Sequence, residues 1–191
     1  RKAGRGGPRG RGTSVSPRGA AGHTGRTYVR VGADVLITGA GPIGIMSGAI
    51  CCHVGARHVV ITDMNDYRLN LARSLCPCHT VNVKRERLED KMHELGISEG
   101  FDVGLEMSGS GAAFNSMIDN MYNGGRIAVL GNQGSETVVP WNKIVWNCQE
   151  IRGIYGRHMF ETWYKMMARV CRGPTLAWII THRVGDADFA K

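Results

Sequence analysis

No apolar run in this sequence approaches the roughly 20 residues that a membrane-spanning helix needs. No apolar stretch of the kind at the heart of a secretory leader is read in its first residues either, so none is expected. A membrane partner is therefore not expected, and the cytoplasm is the expected location. Acids are missing altogether from residues 1–30, and leucine, isoleucine and phenylalanine from residues 1–26. A segment so poor in apolar side chains cannot offset the entropy of ordering itself, so a disordered tail is expected there. No Tyr-x-x-x-Lys pair occurs, which argues against a short-chain dehydrogenase. The first residue is not Met, so a processed product or a fragment is expected.

The net charge of +8 has one source. Of the 24 Lys and Arg, eight fall before residue 31, and the remaining 16 are matched by the 16 Asp and Glu. The body is neutral and offers no electrostatic footprint for a polyanion. Only the tail, RKAGRGGPRGRGTSVSPRGAAGHTGR, could bind nucleic acid, as an RGG-like arm holding RNA through charge and guanidinium stacking. Six cysteines lie scattered in otherwise apolar, periodic sequence, as expected of reduced thiols.

From Val31 onward, short β-rich runs alternate with helical patterns. Strands are expected at 35–39, 58–63, 80–83, 101–107, 125–131 and 151–155. Helices are expected at 42–54, over NDYRLNLARSL, near 86–95 and over 111–122. The fold class is therefore α/β: a doubly wound parallel sheet (a Rossmann fold) with a disordered basic N-terminal tail. Gly39-x-Gly41-x-x-Gly44 is the only G-x-G-x-x-G in the chain, and it leaves a predicted strand and opens a predicted helix. Gly39 permits the tight turn, Gly41 lets backbone approach a pyrophosphate, and Gly44 lets helix pack close to strand. Asp63, at the end of the second strand, is placed to accept from a ribose 2′-OH and to repel a 2′-phosphate. Together these features point to NAD.

Residues 31 onward resemble the zinc-dependent medium-chain dehydrogenases. The resemblance rests on GAGPIGIM, VVITDMNDYRLNLAR, EGFDVGLEMSG, GGRIAVLG, IRGIYGRHMFETWYKM and IITHR, in that order over about 160 residues, with a faint extension back to Gly19–Thr24. It implies that Ile43 lies under the cofactor, Asp63 takes the adenosine ribose and Arg68 borders the adenine. It also implies that Leu130, Gly131, Asn132, Ile154 and Tyr155 approach the nicotinamide end. A small amino-acid substrate, a homo-oligomer and a zinc ion that stabilises the substrate alkoxide are implied for the full-length enzyme. The family's zinc ligands lie in a catalytic domain preceding the cofactor domain, so neither a catalytic residue nor a metal ligand is assigned here. Three departures from the family pattern stand out: Asn132 in place of an aliphatic residue, Cys76 in place of a glycine, and Pro77-Cys78 after it. At Cys76 a left-handed backbone is expected, at a cost on the order of 1 kcal/mol for a non-glycine.

The expected organisation is a tail over 1–30, an NAD-binding domain over 31–176, and the start of a return to the catalytic domain over 177–191. In HMFETWYKMMARV, the helical spacing of Met159, Trp163, Met166, Met167 and Val170 predicts an amphipathic helix with a core-packed face. Cys76-x-Cys78-His79 lacks ordinary zinc-site spacing and reads as thiols. The expected function is the cofactor half of an NAD-dependent oxidoreductase, inactive by itself. A non-catalytic dinucleotide-binding module with an RNA-binding tail is the alternative.

Overall fold

The computed structural model describes residues 29–155. The tail, the 156–191 segment with its Met-rich stretch, and both outer domain limits lie outside the described residues. Within them, six strands and five helices alternate. The strands are β1 (Asp34–Thr38), β2 (His58–Asp63), β3 (His79–Asn82), β4 (Phe101–Glu106), β5 (Met121–Val129) and β6 (Glu150–Gly153). The helices are α1 (Pro42–Val54), α2 (Asp66–Leu75), α3 (Leu88–Glu94), α4 (Gly111–Asp119) and α5 (Trp141–Trp146). The sheet runs β3-β2-β1-β4-β5-β6 with every neighbouring pair parallel, a doubly wound sheet as expected.

Strand β1, DVLIT, is buried throughout, as a central parallel strand covered on both faces must be. Its side chains alternate between two cores. Val35 and Ile37 pack with Ile45, Leu69 and the rest of the α1/α2 layer. Leu36 packs on the opposite face with Leu88, Phe114 and Met117 of the α3/α4 layer. Helix α1 sits close against the sheet because its contact positions are small. A Cβ at Gly48 would come within 2.8 Å of the Ile61 side chain. Pro42 opens α1, where its missing N–H costs no hydrogen bond, and Gly55 ends it at φ 97°. Asn65 caps α2 by accepting from the amides of Tyr67 (2.9 Å) and Arg68 (3.4 Å).

Several boundaries differ from the sequence expectation. Helix α4 stops at Asp119, and β5 begins at Met121 rather than at residue 125. The Asn123-Gly124-Gly125 segment lies inside β5, where the β4–β5 register shifts and Gly124 takes φ 80°. Such an irregularity adds residues to one strand without ending it. Strand β3 starts at His79, and α3 starts at Leu88 because the amides of Arg85 and Glu86 both turn back to the Asn82 carbonyl. The sixth strand is displaced to 150–153, and α5 was not expected at all. Cys76 is not left-handed. It ends α2 in an extended conformation (φ −151°, ψ 151°) with its amide on the Ala72 carbonyl, so its replacement of glycine carries no backbone strain.

Candidate functional site

The carboxyl ends of β1, β2 and β4 open on a cavity of about 410 Å³, bordered by Thr38, Gly39, Gly41, Asp63, Arg68 and Ser108. Ligands of doubly wound sheets bind at this edge, where the strand order reverses between β1 and β4. The three glycines meet three different constraints. Gly39 turns at φ 93°, and a Cβ on it would lie 2.9 Å from the Ser108 backbone. A Cβ on Gly44 would collide with the Gly39 carbonyl oxygen. Gly41 is the opposite case, since a Cβ there would meet nothing within 4 Å among the described residues. Protein packing therefore accounts for Gly39 and Gly44 but not for Gly41.

Helix α1 begins at this glycine turn, with Ile45 N–H closing its first turn on the Gly41 carbonyl at 3.0 Å. No side chain caps it and no acid stands in its first turn. Its leading amides and positive dipole end are thus left for an anion. Ile43, in that first turn, is half-buried and packs against the α1/α2 core rather than lining the cavity.

Asp63 sits at the end of β2 with its side chain 12% exposed. One carboxylate oxygen accepts from the Ala40 amide at 2.7 Å and the other from the Asn65 amide at 2.9 Å. A carboxylate has about four acceptor positions, so these bonds leave capacity for ribose hydroxyls. The Arg68 guanidinium lies 4.0 Å away and is 55% exposed, bordering the same cavity.

The turn after β4 is held by a residue to which sequence reasoning assigned no role. Glu106 is fully buried at the strand end. Its Oε1 accepts from the Ser108 amide (2.9 Å), the Ser108 hydroxyl (2.5 Å) and the Gly109 amide (3.0 Å). Its Oε2 finds no hydrogen-bond partner among the described residues and lies where a Cβ of Gly131 would fall. The available signal was a second acid, after Asp102, at the end of a buried strand, followed by Met-Ser-Gly-Ser.

The remaining predicted residues share this edge without lining the cavity. The amides of Leu130 and Gly131 both donate to the Glu106 carbonyl at 3.0 Å, which seats the loop after β5 beside the turn after β4. Asn132 is exposed, and its carbonyl oxygen lies 2.5 Å from where a Cβ of Gly109 would stand. Ile154 is buried, its amide donating to Val129 at 2.7 Å, whereas Tyr155 is fully exposed. The structure thus gathers Gly39, Gly41, Asp63 and Arg68 around one cavity and places the other group at the neighbouring strand ends. For zinc, no group of three or more His, Cys, Asp or Glu among the described residues could hold a metal ion, so they do not fit that role.

The zinc-binding dehydrogenase family matches residues 42–172. L-threonine 3-dehydrogenase of Shewanella frigidimarina (strain NCIMB 400) is 57% identical over 175 residues, 92% of this chain and 51% of that protein. The enzyme of the same name from Shewanella loihica (strain ATCC BAA-1088 / PV-4) is 56% identical over 173 residues, 91% and 51% of the two chains. The chain spans about half the length of these curated relatives. Among solved structures, an alcohol dehydrogenase from Thermus sp. ATN1 matches with a TM-score of 0.86 at 22% identity, over 95% of this chain and 54% of that one. A short chain alcohol dehydrogenase from E. coli CFT073, complexed with cofactor NADH, matches with a TM-score of 0.78 at 18% identity, over 90% and 50%. At such identities the likeness shows the fold alone.

Proposed function

The chain belongs to the zinc-binding dehydrogenase family, and on that premise we propose that it is the NAD-binding part of an L-threonine 3-dehydrogenase. The reaction of the whole enzyme is L-threonine + NAD⁺ giving 2-amino-3-oxobutanoate + NADH + H⁺. The observation that carries the cofactor half is Gly41. It is the one glycine of the triplet whose missing Cβ would meet no described protein atom within 4 Å, and it borders the cavity.

Bound here, NAD supplies a hydride acceptor, and the residues of this chain hold and orient it. The uncapped first turn of α1 faces the pyrophosphate, with Gly41 allowing backbone to approach it. Asp63 accepts from the adenosine ribose and disfavours a 2′-phosphate by charge, and Arg68 borders the adenine. Leu130, Gly131, Asn132, Ile154 and Tyr155, on the loops after β5 and β6, stand toward the nicotinamide. The substrate name comes from relatives 56–57% identical to this chain over some nine-tenths of its length. Zinc chemistry belongs to residues other than those described, and no step is assigned to it here. Assembly into a homo-oligomer is part of the same proposal. The exposed Trp141, Val145 and Trp146 of α5, next in sequence to the edge strand β6, form the apolar surface such an assembly would cover.

The test compares this 191-residue chain with a version extended upstream to the length of its relatives, following NADH absorbance with L-threonine, NAD and zinc. The extended protein should produce NADH and the present chain should not. Loss of both positioning and metal forfeits several powers of ten in rate. Zinc- and threonine-dependent NADH formation by the present chain, or none by the extended one, would contradict the reading.

A further inference from the structure

Three cysteines from two parts of the sequence lie together at the edge of the α1/α2 layer. Cys52 lies in the last turns of α1, Cys76 ends α2, and Cys78 precedes β3. The Cys76 thiol donates to the Ala72 carbonyl at 3.5 Å and lies against Gly48, one turn before Cys52 on the same face of α1. Cys52 Sγ also reaches the carbonyl of the intervening Pro77 at 3.7 Å. Cys76 is buried beside α1, its Sγ 3.6 Å from where a Gly48 Cβ would stand, while Cys52 and Cys78 are half-buried. None of the three touches the cofactor cavity.

We propose that Cys52, Cys76 and Cys78 form a redox-modifiable thiol site, in which a small-molecule disulfide cross-links Cys52 to Cys76. The end of α1 would then be bonded covalently to the turn leading into β3. Disulfides in a reducing compartment are typically transient and redox-sensing, which suits a site formed from free thiols.

The exchange balances as two displacements. Cys52, as thiolate, attacks one sulfur of the reagent R–S–S–R, forming a mixed disulfide and releasing RS⁻. That RS⁻ takes the proton of the Cys76 thiol, whose sulfur then displaces the second RS⁻ from Cys52. The proton first lost by Cys52 ends on this second RS⁻. The sum is a protein dithiol plus R–S–S–R giving a protein disulfide plus two RSH.

The surroundings support that order. The neighbouring Cys76 thiol holds Cys52 below its ordinary value against the effect of burial, and Cys78 is lowered in the same way. The neighbouring Cys52 and Cys78 thiols, together with burial, raise the Cys76 thiol above its ordinary value, so it enters as the second, protonated partner. Cys51, adjacent in sequence, turns into the core instead. Burial pushes its thiol up to about 12, which makes it inert.

The test treats the full chain with oxidised glutathione, alkylates the remaining thiols and maps disulfides by peptide mass spectrometry. Fragmentation between Cys76 and Cys78 assigns the partner. A Cys52–Cys76 cross-link in most molecules, lost on reduction, is expected, with Cys51 recovered as the alkylated thiol. The cross-link should persist in Cys78→Ser and vanish in Cys76→Ser. Should Cys76→Ser fail to fold, the mapping of the unaltered chain still decides. Adducts confined to Cys148 and Cys171, or a cross-link joining Cys52 to Cys78, would overturn the proposal.

Discussion

Asp63 accepts the backbone N–H of Ala40 at 2.7 Å, across 23 residues of sequence. This one contact ties the end of β2 to the glycine turn that leaves β1. The carboxylate proposed to hold the cofactor's ribose therefore also holds the loop proposed to hold its phosphates. A change at Asp63 acts on both ends of the cofactor's adenosine half.

Asp63→Ala should accordingly weaken NAD binding by roughly tenfold to a hundredfold, the worth of one charged hydrogen bond, about 1.5–3 kcal/mol. Asp63→Asn should fall between, because its amide keeps one acceptor oxygen but turns an NH₂ toward one of the two amide donors. Titration calorimetry on the three proteins checks the order. Unchanged affinity in Asp63→Ala would remove Asp63 from the site.

Gly41 and Gly44 should separate binding from folding. Gly44→Ala forces a Cβ onto the Gly39 carbonyl and should cost roughly 1–3 kcal/mol of stability. Gly41→Val puts its Cβ where no described atom lies within 4 Å, so the thermal midpoint should hardly move while NAD binding is lost. If both variants melt early, Gly41 is structural and the cavity loses its main support as a cofactor site.

At the opposite edge of the sheet, Asp34 is buried and paired with Arg57 and His58, and it accepts no amide from Asp102 but has its own amide bonded to that side chain. Burial pushes its carboxyl up, but hydrogen bonds from Arg57 and His58 outweigh this and hold it below its ordinary value. A carboxyl lowered by folding contributes stability that is complete above its unfolded value, about 3.9, and is lost as pH falls through the folded value. Asp34→Asn should therefore melt below the unaltered protein at pH 7, and the gap should narrow below about pH 4. Parallel melting curves across that range would show that the pair contributes nothing to acid sensitivity.

How far the sequence could be read depended on whether a feature was local. The glycine triplet, the strand before it and Asp63 were legible because each lies in one short stretch with a fixed backbone meaning. The parallel, doubly wound class followed from the alternation of strands with helices. Helix α5 was missed because six residues after Pro140 span too few turns to show a period, and Trp141, Val145 and Trp146 point outward. The irregular start of β5 was read as a helix end because Gly124 at φ 80° suits either. Cys76 was misjudged by analogy with a glycine whose backbone geometry this chain does not share. The role of Glu106 and the approach of Cys52 to the Cys76–Cys78 turn depend on tertiary contacts, which no local pattern encodes.

The central claim is that this chain holds NAD at the edge formed by β1, β2 and β4. Titration calorimetry of the 191-residue protein with NAD and with NADP tests it most directly. NAD should bind with one site per chain and at least about tenfold more tightly than NADP, the least that one charged hydrogen bond at Asp63 provides. Equal affinities, or no heat with either cofactor from a protein that melts cooperatively, would contradict it.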